Sequence, residues 1–216
     1  SASENITVSA ESFRDIAAET YLASIEIAST TSANIVIDNS AVLSAKVVDL
    51  QARTRGTVSA NNLFGTGSAT NTFTETATVA ISGSAQITSN SFVGLASRST
   101  AYSTNGRVAV NDISGNTSAT IVGSTVSVDS GGLSITALNN VKLTALSPEM
   151  EITLDGVSAP VSIGFSSARN YLSGDTEASI TNSSVNAVNG GNLNVTARKN
   201  AQVRAEAKTD SVVWSF

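Results

Sequence analysis

The feature that most constrains this chain is an internal repeat with a fixed spacing. Residues 111–121 read Asn-Asp-Ile-Ser-Gly-Asn-Thr-Ser-Ala-Thr-Ile, and residues 170–180 read Asn-Tyr-Leu-Ser-Gly-Asp-Thr-Glu-Ala-Ser-Ile, 59 positions later. A looser copy at 71–79 precedes the first segment by 40 positions. Self-similarity at a fixed period is typical of architectures in which each unit stacks on its neighbours.

A second pattern follows these segments: apolar, any, apolar, any, Ala, five residues, then apolar, any, Ala. It occurs after Gly131-Gly132, after Gly190-Gly191 and near the start of the chain. We expect the matched positions, together with the last residue of each repeat segment, to form one buried ladder. The predicted ladder is Ile6, Val8, Ala10, Ile121, Leu133, Ile135, Ala137, Leu143, Ala145, Ile180, Leu193, Val195, Ala197, Val203 and Ala205.

Apolar and polar residues alternate within these segments, which is the period of a strand with one buried face. Ser, Thr, Asn, Val and Gly are poor helix formers. Residues 12–21 could pass for a short helix, but their alignment with 193–207 favours a strand. The small inward residues favour a stacked core over a sandwich, so we predict an all-β parallel β-helix with coils of roughly 20 residues. We interpret residues 1–216 as one such segment with partial modules at about 1–70, 71–110, 111–169 and 170–216.

Composition excludes several classes of function. The chain has no Cys and no His, which removes thiolate chemistry, the commonest general base and the commonest zinc ligands. Asp and Glu number 17 against 12 Lys and Arg, and no basic run exists, so we expect no nucleic-acid partner. The longest apolar stretches have a few residues, far short of the ~18 that a membrane span requires.

Asparagines open both repeat segments. Asn tolerates the left-handed backbone conformation, and its amide can bond to an equivalent amide in the next unit. We therefore expect Asn111 and Asn170 to begin strands or to line a ladder.

The phrases GGNLNVTA (190–197), GGLSITA (131–137) and ASITNSSVNA (178–187) resemble the repeats of filamentous-haemagglutinin-like adhesins of bacteria. The resemblance covers most of the chain but is largely compositional. It implies a right-handed parallel β-helix in a giant, secreted, rod-shaped protein that mediates adhesion between cells or to surfaces. We expect no cofactor and no catalytic residue in such a segment.

The alternative is a β-helical carbohydrate-active enzyme, either a polysaccharide lyase or a glycosidase. Such an enzyme would place two carboxylates a few ångströms apart on consecutive coils. The candidates are Asp112, Asp129, Asp155, Asp175 and Glu177. Asp112 aligns with Tyr171 and Asp175 aligns with Asn116, which is typical of variable turn residues rather than of a catalytic pair.

Three other binding functions have weaker support. The calcium pattern GGxGxD is missing, because Leu133 and Asn192 follow the paired glycines. Alternating threonines at 70–78 could order water or ice, although one strand is not an array. Carbohydrate recognition usually needs exposed aromatic residues, and aromatic residues make up only 5% of this chain.

The ends of the sequence suggest a longer protein. The start, SASENITVSA, lacks the features of a secretory signal, and the last residues, SVVWSF, stop within an apolar stretch. We expect a middle portion of an extracellular or cell-surface bacterial protein whose partners are other cells, surfaces or extracellular polymers. Because an uncapped β-helix exposes unpaired strands, end-to-end self-association is also expected.

Overall fold

The computed structural model describes residues 4–20, 24–62, 68–105, 108–147 and 167–208, with the side chains at 91–93 and 95–105 left undescribed. Within these ranges the chain forms twelve strands and no helix, which confirms the all-β class. The strands are β1 (Ile6–Thr20), β2 (Ile25–Ile37), β3 (Val42–Asn62), β4 (Ala69–Ile81), β5 (Gln86–Asn105), β6 (Val108–Val122), β7 (Thr125–Val128), β8 (Gly132–Ser147), β9 (Ser167–Leu172), β10 (Thr176–Thr181), β11 (Ser184–Ala187) and β12 (Asn192–Ala207).

The strands form two sheets in which every pairing is parallel. Sheet A contains β1, β3, β5, β7, β8, β11 and β12, and sheet B contains β2, β4, β6, β9 and β10. The chain passes alternately from one sheet to the other, so each sheet A strand or strand pair and the sheet B strands after it make up one layer. Of the segment 12–21 that could pass for a helix, residues 12–20 lie within strand β1, and Tyr21 lies outside the described residues.

Neighbouring layers are separated by more residues than the sequence predicts. Paired strands are offset by 42 residues between β1 and β3, by 40 between β4 and β6, and by 60 between β8 and β12. The prediction of roughly 20 residues per coil is therefore wrong, because each layer is paired with residues at least 40 positions away in the chain. The Gly, Asn, Asp and Ser residues between apolar segments predict turns and strands of about four to six residues. The strands are longer, up to 21 residues in β3, because the alternation continues through inward polar residues such as Thr54.

The corners that lead from sheet B to sheet A are built from residues with left-handed backbone. Asn39 has φ 54°, Gly83 has φ 65°, Gly123 has φ 59° and Asn182 has φ 49°. Glycine and asparagine adopt this conformation at the lowest steric cost. The corners also stack, because the Ser84 backbone N–H donates to the Gly123 carbonyl (3.1 Å).

Side chains between the two sheets form two apolar clusters with polar residues between them. The larger cluster joins sheet A residues such as Leu50 and Ile135 to sheet B residues such as Val79 and Ile121. The smaller cluster is centred on Phe73, which is fully buried beside Val58. A Cβ on Gly56 would lie 2.0 Å from Cζ of Phe73, so this position admits only glycine without rearrangement.

The ladder residues lie in register across sheet A. Leu193 is opposite Leu133, Val195 opposite Ile135, and Ala197 opposite Ala137. The ladder residues of β8 are fully buried, as is Ile121, whereas Ile6, Ala10 and Ile180 are half-buried. The expected burial does not extend fully to the first and last strands of sheet A, because among the described residues β1 pairs only with β3 and β12 only with β8. The exposed ladder residues are Val8, Leu193, Val195, Ala197, Val203 and Ala205.

Candidate functional site

The outer surface of sheet B carries a block of nine uncharged polar residues, three from each of three adjacent strands. Parallel pairing aligns Thr30 with Thr74 and Ser114, and the next two rows follow the same order. We call this block the hydroxyl face. It consists of Thr30, Ser32, Asn34, Thr74, Thr76, Thr78, Ser114, Asn116 and Ser118.

The hydroxyl face has the spacing of a regular β-surface. Adjacent strands lie about 4.8 Å apart, and side chains on one face of a strand repeat about every 6.6 Å. Some hydroxyls bond across strands: Thr74 Oγ1 lies 3.1 Å from Ser114 Oγ, and Ser118 Oγ donates to Thr78 Oγ1 at 3.4 Å. These bonds hold side chains in place while leaving further lone pairs for an external donor.

Ionic and aromatic residues lie at the margins of this face rather than within it. Asp112 is opposite Thr72 on one side and Tyr171 on the other, and Tyr171 is 52% exposed. Glu177 is opposite Ser118 and accepts a hydrogen bond from Ser179 Oγ at 2.7 Å.

Of the hydroxyl face, the sequence analysis identified only the alternating threonines of β4. Ser, Thr and Asn at alternate positions of 30–34 and 114–118 were the signal for the other two rows.

A regular two-dimensional threonine array is not present here. Of the positions opposite the β4 threonines in β2 and β6, only Thr30 is a threonine. The remaining neighbours include alanine, serine, asparagine and Asp112.

Asparagines 71, 111 and 170 form a ladder on the inner side of sheet B. Asn71 Nδ2 donates to Asn111 Oδ1 at 3.2 Å, and Asn111 Nδ2 donates to Asn170 Oδ1 at 2.8 Å. Asn111 Nδ2 also donates to the Thr144 carbonyl at 3.1 Å, which ties sheet B to sheet A. The predicted role of Asn111 and Asn170 as ladder residues is confirmed, and Asn71 extends the ladder by one layer.

The candidate catalytic carboxylates are dispersed. Asp175 aligns with Asn116, which is four positions from Asp112 along β6, a separation of roughly 13 Å along the strand. Glu177 aligns with Ser118, which is six positions from Asp112, a separation of roughly 20 Å. Asp175 and Glu177 are two residues apart, and both are exposed at the edge of sheet B. Asp129 lies in the exposed turn between β7 and β8, and Asp155 lies outside the described residues.

A buried carboxylate that the sequence did not reveal belongs to Glu75. Its side chain is 1% exposed, and in register it lies between Thr31 and Gly115. A Cβ on Gly115 would lie 2.8 Å from Glu75 Cγ and 2.1 Å from its carbonyl oxygen. Glycine at 115 is therefore needed for the approach of β4 and β6 at this level.

Two ion pairs lie at the end of the last strand. Arg204 pairs with Glu206, and Lys208 Nζ lies 3.5 Å from Glu206 Oε1. The Arg204 hydrogen bond, followed by its charge and by the Lys208 contact, lowers the pKa of Glu206 below its ordinary value. The Arg204 and Lys208 side chains are largely in solvent, and Glu206 is 34% exposed, so these pairs contribute little to stability.

A depression lies on sheet A between β8 and β12. It has a volume of about 150 Å³, below the ~300 Å³ at which ligand pockets begin, and is lined by Asn140, Val141, Lys142, Asn200 and Gln202. Among the described residues no three His, Cys, Asp or Glu side chains form a group that could hold a metal ion. In that part of the chain there is likewise no helix with the length and apolar character to cross a bilayer.

Comparison with family models, with curated proteins and with solved structures finds no match to this chain.

Proposed function

We propose that this chain is a structural and adhesive segment of a large secreted or surface-displayed bacterial protein, folded as a right-handed parallel β-helix. The parallel layers and the resemblance of the 131–137 and 190–197 segments to filamentous-haemagglutinin-like repeats support the proposal. In this role the stack supplies length, and its outer faces supply contacts with other cells, surfaces or extracellular polymers.

The observation that carries the adhesive part is the hydroxyl face. Nine uncharged hydroxyl and amide side chains stand on one sheet surface, with Asp112 and Tyr171 at one margin. Such a surface can exchange hydrogen bonds with a polyhydroxylated polymer without first desolvating a charge, which is the costlier step. Many weak contacts of this kind along a rod add up through multivalency.

The dispersal of the acidic residues supports a role without catalysis. A glycosidase holds its two carboxyl groups about 5 to 9.5 Å apart on either side of the scissile bond. Among the described candidates Asp175 and Glu177 come nearest to that spacing, and both are exposed at the edge of sheet B.

The test measures retention of the 216-residue chain on dextran-coated beads and on intact bacterial cells. We expect Thr74→Lys combined with Thr76→Lys to reduce retention at least tenfold, because two ammonium groups would disrupt the uncharged block. Thr57→Lys is the matched control, since Thr57 lies on the outer surface of sheet A. Unchanged retention in the double variant, equal losses in both variants, or release of reducing sugar by the unmodified chain would overturn the proposal.

A further inference from the structure

The outer surface of sheet A carries a cluster of basic residues that are far apart in the sequence. Three consecutive outward rows cross β3, β5, β8 and β12, and the residues between them along β3 and β8 are buried. The twelve positions of these rows hold five cations and no acidic residue, and we call them the basic face. The cations are Arg53, Arg55, Arg98, Lys142 and Arg198, and the other positions are Thr57, Thr100, Tyr102, Leu138, Asn140, Asn200 and Gln202.

Parallel pairing brings these cations close together. Adjacent strands lie about 4.8 Å apart and outward positions repeat about every 6.6 Å, so the basic face measures roughly 14 by 13 Å. The chain has a net charge of -5, yet five of its 12 basic residues occupy this face. Arg98 is directly opposite Arg53, and like charges opposite each other in a sheet are destabilising. A bound anion would offset this repulsion.

Acidic residues border the basic face without entering it. On β1 the same rows hold two acidic residues, of which Glu11 places Oε1 at 3.8 Å from Arg53 Nη1. The Arg53 charge is therefore partly balanced within the chain. Arg55, Lys142 and Arg198 are exposed, and the positions next to them along their rows and strands hold no acidic residue. These three cations are the ones available to an external anion.

The depression between β8 and β12 lies within the basic face. Asn140, Lys142, Asn200 and Gln202 are among its lining residues, and its volume is about 150 Å³. Asn200 Nδ2 donates to Asn140 Oδ1 at 2.8 Å, and Arg198 Nε donates to Asn200 Oδ1 at 2.9 Å. These bonds orient the amides and the guanidinium, whose Nη groups carry further N–H donors. The depression is too small for a whole ligand, but it can take one charged substituent of a polymer.

We propose that the basic face binds an acidic polysaccharide through the carboxylate groups of its uronic-acid sugars. Four of the five cations are arginines, which form paired, charge-assisted hydrogen bonds with carboxylates. Hydroxyl and amide side chains lie between the cations, and they match the neutral hydroxyl groups that separate the carboxylates of such a polymer. One carboxylate contacts Lys142 at the depression, and another contacts Arg198.

Charge density favours an acidic polysaccharide over a nucleic acid. Duplex DNA carries one negative charge per ~1.7 Å of its axis, so about eight charges would cross the basic face, against five cations. The remainder of the chain is acidic and would repel such a polymer. A polysaccharide with one carboxylate per sugar and neutral hydroxyl groups between them has the lower charge density that this face can balance.

The basic face and the hydroxyl face lie on opposite sides of the stack, on the outer surfaces of sheets A and B. Further layers of a longer chain would stack beside β1 or β12, which extends the outer surface of sheet A and leaves it uncovered. The inference therefore goes beyond the proposed function, and the two surfaces can be tested separately.

The test measures binding of the 216-residue chain to immobilised alginate, a polymer of uronic-acid sugars, in calcium-free buffer. We expect Lys142→Gln combined with Arg198→Gln to weaken binding at least tenfold at low ionic strength. Lys46→Gln combined with Arg169→Gln is the matched control, because it removes the same charge from exposed positions outside the basic face. The control should change binding less than twofold, and circular dichroism verifies that both double variants keep the strand content of the parent.

Three results would overturn the proposal: no binding of the unmodified chain to alginate, equal losses in the two double variants, or binding that does not weaken as salt is added. Tighter binding to duplex DNA or to vesicles of anionic phospholipid than to alginate, at the same ionic strength, would overturn the choice of polymer.

A third variant separates this proposal from that of the hydroxyl face. Thr74→Lys combined with Thr76→Lys alters only the hydroxyl face and should bind alginate at least as tightly as the parent. Loss of alginate binding in this variant would overturn the assignment to sheet A. Alginate binding that depends on Lys142 and Arg198, in a chain that dextran does not retain, would overturn the role of the hydroxyl face and support that of the basic face.

Discussion

β8 and β12 carry nearly the same inward residues in the same register, yet their environments differ. Leu133 is 1% exposed and Leu193 is 53% exposed, although the two side chains are direct partners. The difference lies in the neighbours, because among the described strands β8 is paired on both sides and β12 on one. In a stacked fold the sequence of a strand determines which side chains point inward, and the next layer determines whether they are buried.

The largest expected contrast is between truncations of these two leucines. Leu133→Ala should lower the free energy of unfolding by about 3 kcal/mol, because it leaves a cavity between two layers. Leu193→Ala should cost less than about 1 kcal/mol, since its side chain is already half in water. Urea denaturation at low protein concentration and high salt, where the ends are free, measures both. Equal losses would show that β12 is covered.

A second contrast uses Gly56 and Arg14, which share one row of sheet A. Gly56→Ala should cost about 1 to 3 kcal/mol, because the added methyl overlaps the Phe73 ring. Arg14→Ala, in the end layer, should stay within about 0.5 kcal/mol of the parent. Thermal unfolding followed by circular dichroism compares them, and a neutral Gly56→Ala would contradict the close packing of the interior.

The asparagine ladder gives a smaller contrast of the same kind. Asn111 is fully buried and bonds to Asn71, Asn170 and Thr144, so Asn111→Ala should cost about 1 to 3 kcal/mol. Asn170→Ala should cost about half as much, because Asn170 is half-buried at the last layer of sheet B. Denaturant titration of both variants tests this order, and a larger loss for Asn170→Ala would reverse it.

The smallest effect is expected at Glu206. Its pKa is lowered by Arg204 and Lys208, so the carboxylate favours the folded state above the ordinary Glu pKa, and this contribution is lost as pH falls through the lowered value. Carboxyl-carbon NMR should show Glu206 titrating below the ordinary Glu pKa. In Arg204→Gln the titration should move up while overall stability is unchanged. An unmoved titration would exclude Arg204 as the cause.

Alternation and repeats predicted the all-β class and the asparagine ladder. They did not predict the strand lengths, because inward polar residues resemble turns in a sequence. Asn139 interrupts the apolar run of β8, yet it is 2% exposed and lies within one strand. Thr54 and Gly56 interrupt β3 in the same way. The sequence analysis predicted strands and coils that are too short because it interpreted such polar residues as turns.

The hydroxyl face was predicted in part. The threonines of β4 are visible because they repeat within one strand, whereas their alignment with Ser114 and Asn116 depends on a 40-residue pairing offset. The burial of Glu75 was not visible, because a carboxylate in an alternating segment is normally assigned to the solvent side. Glu75 points inward because side chains alternate along β4 and its neighbours at alternate positions, Phe73 and Ala77, are buried.

The change in pairing offset along the stack has a consequence for how such a chain can vary. Between β4 and β6 the offset is 40 residues, whereas between β6 and β10 it is 59, and Ala77, Thr117 and Thr176 still fall in one row. The additional residues fall in the connection from β8 to β9, at 148–166. Insertions and deletions at that connection therefore leave the pairing of both sheets intact.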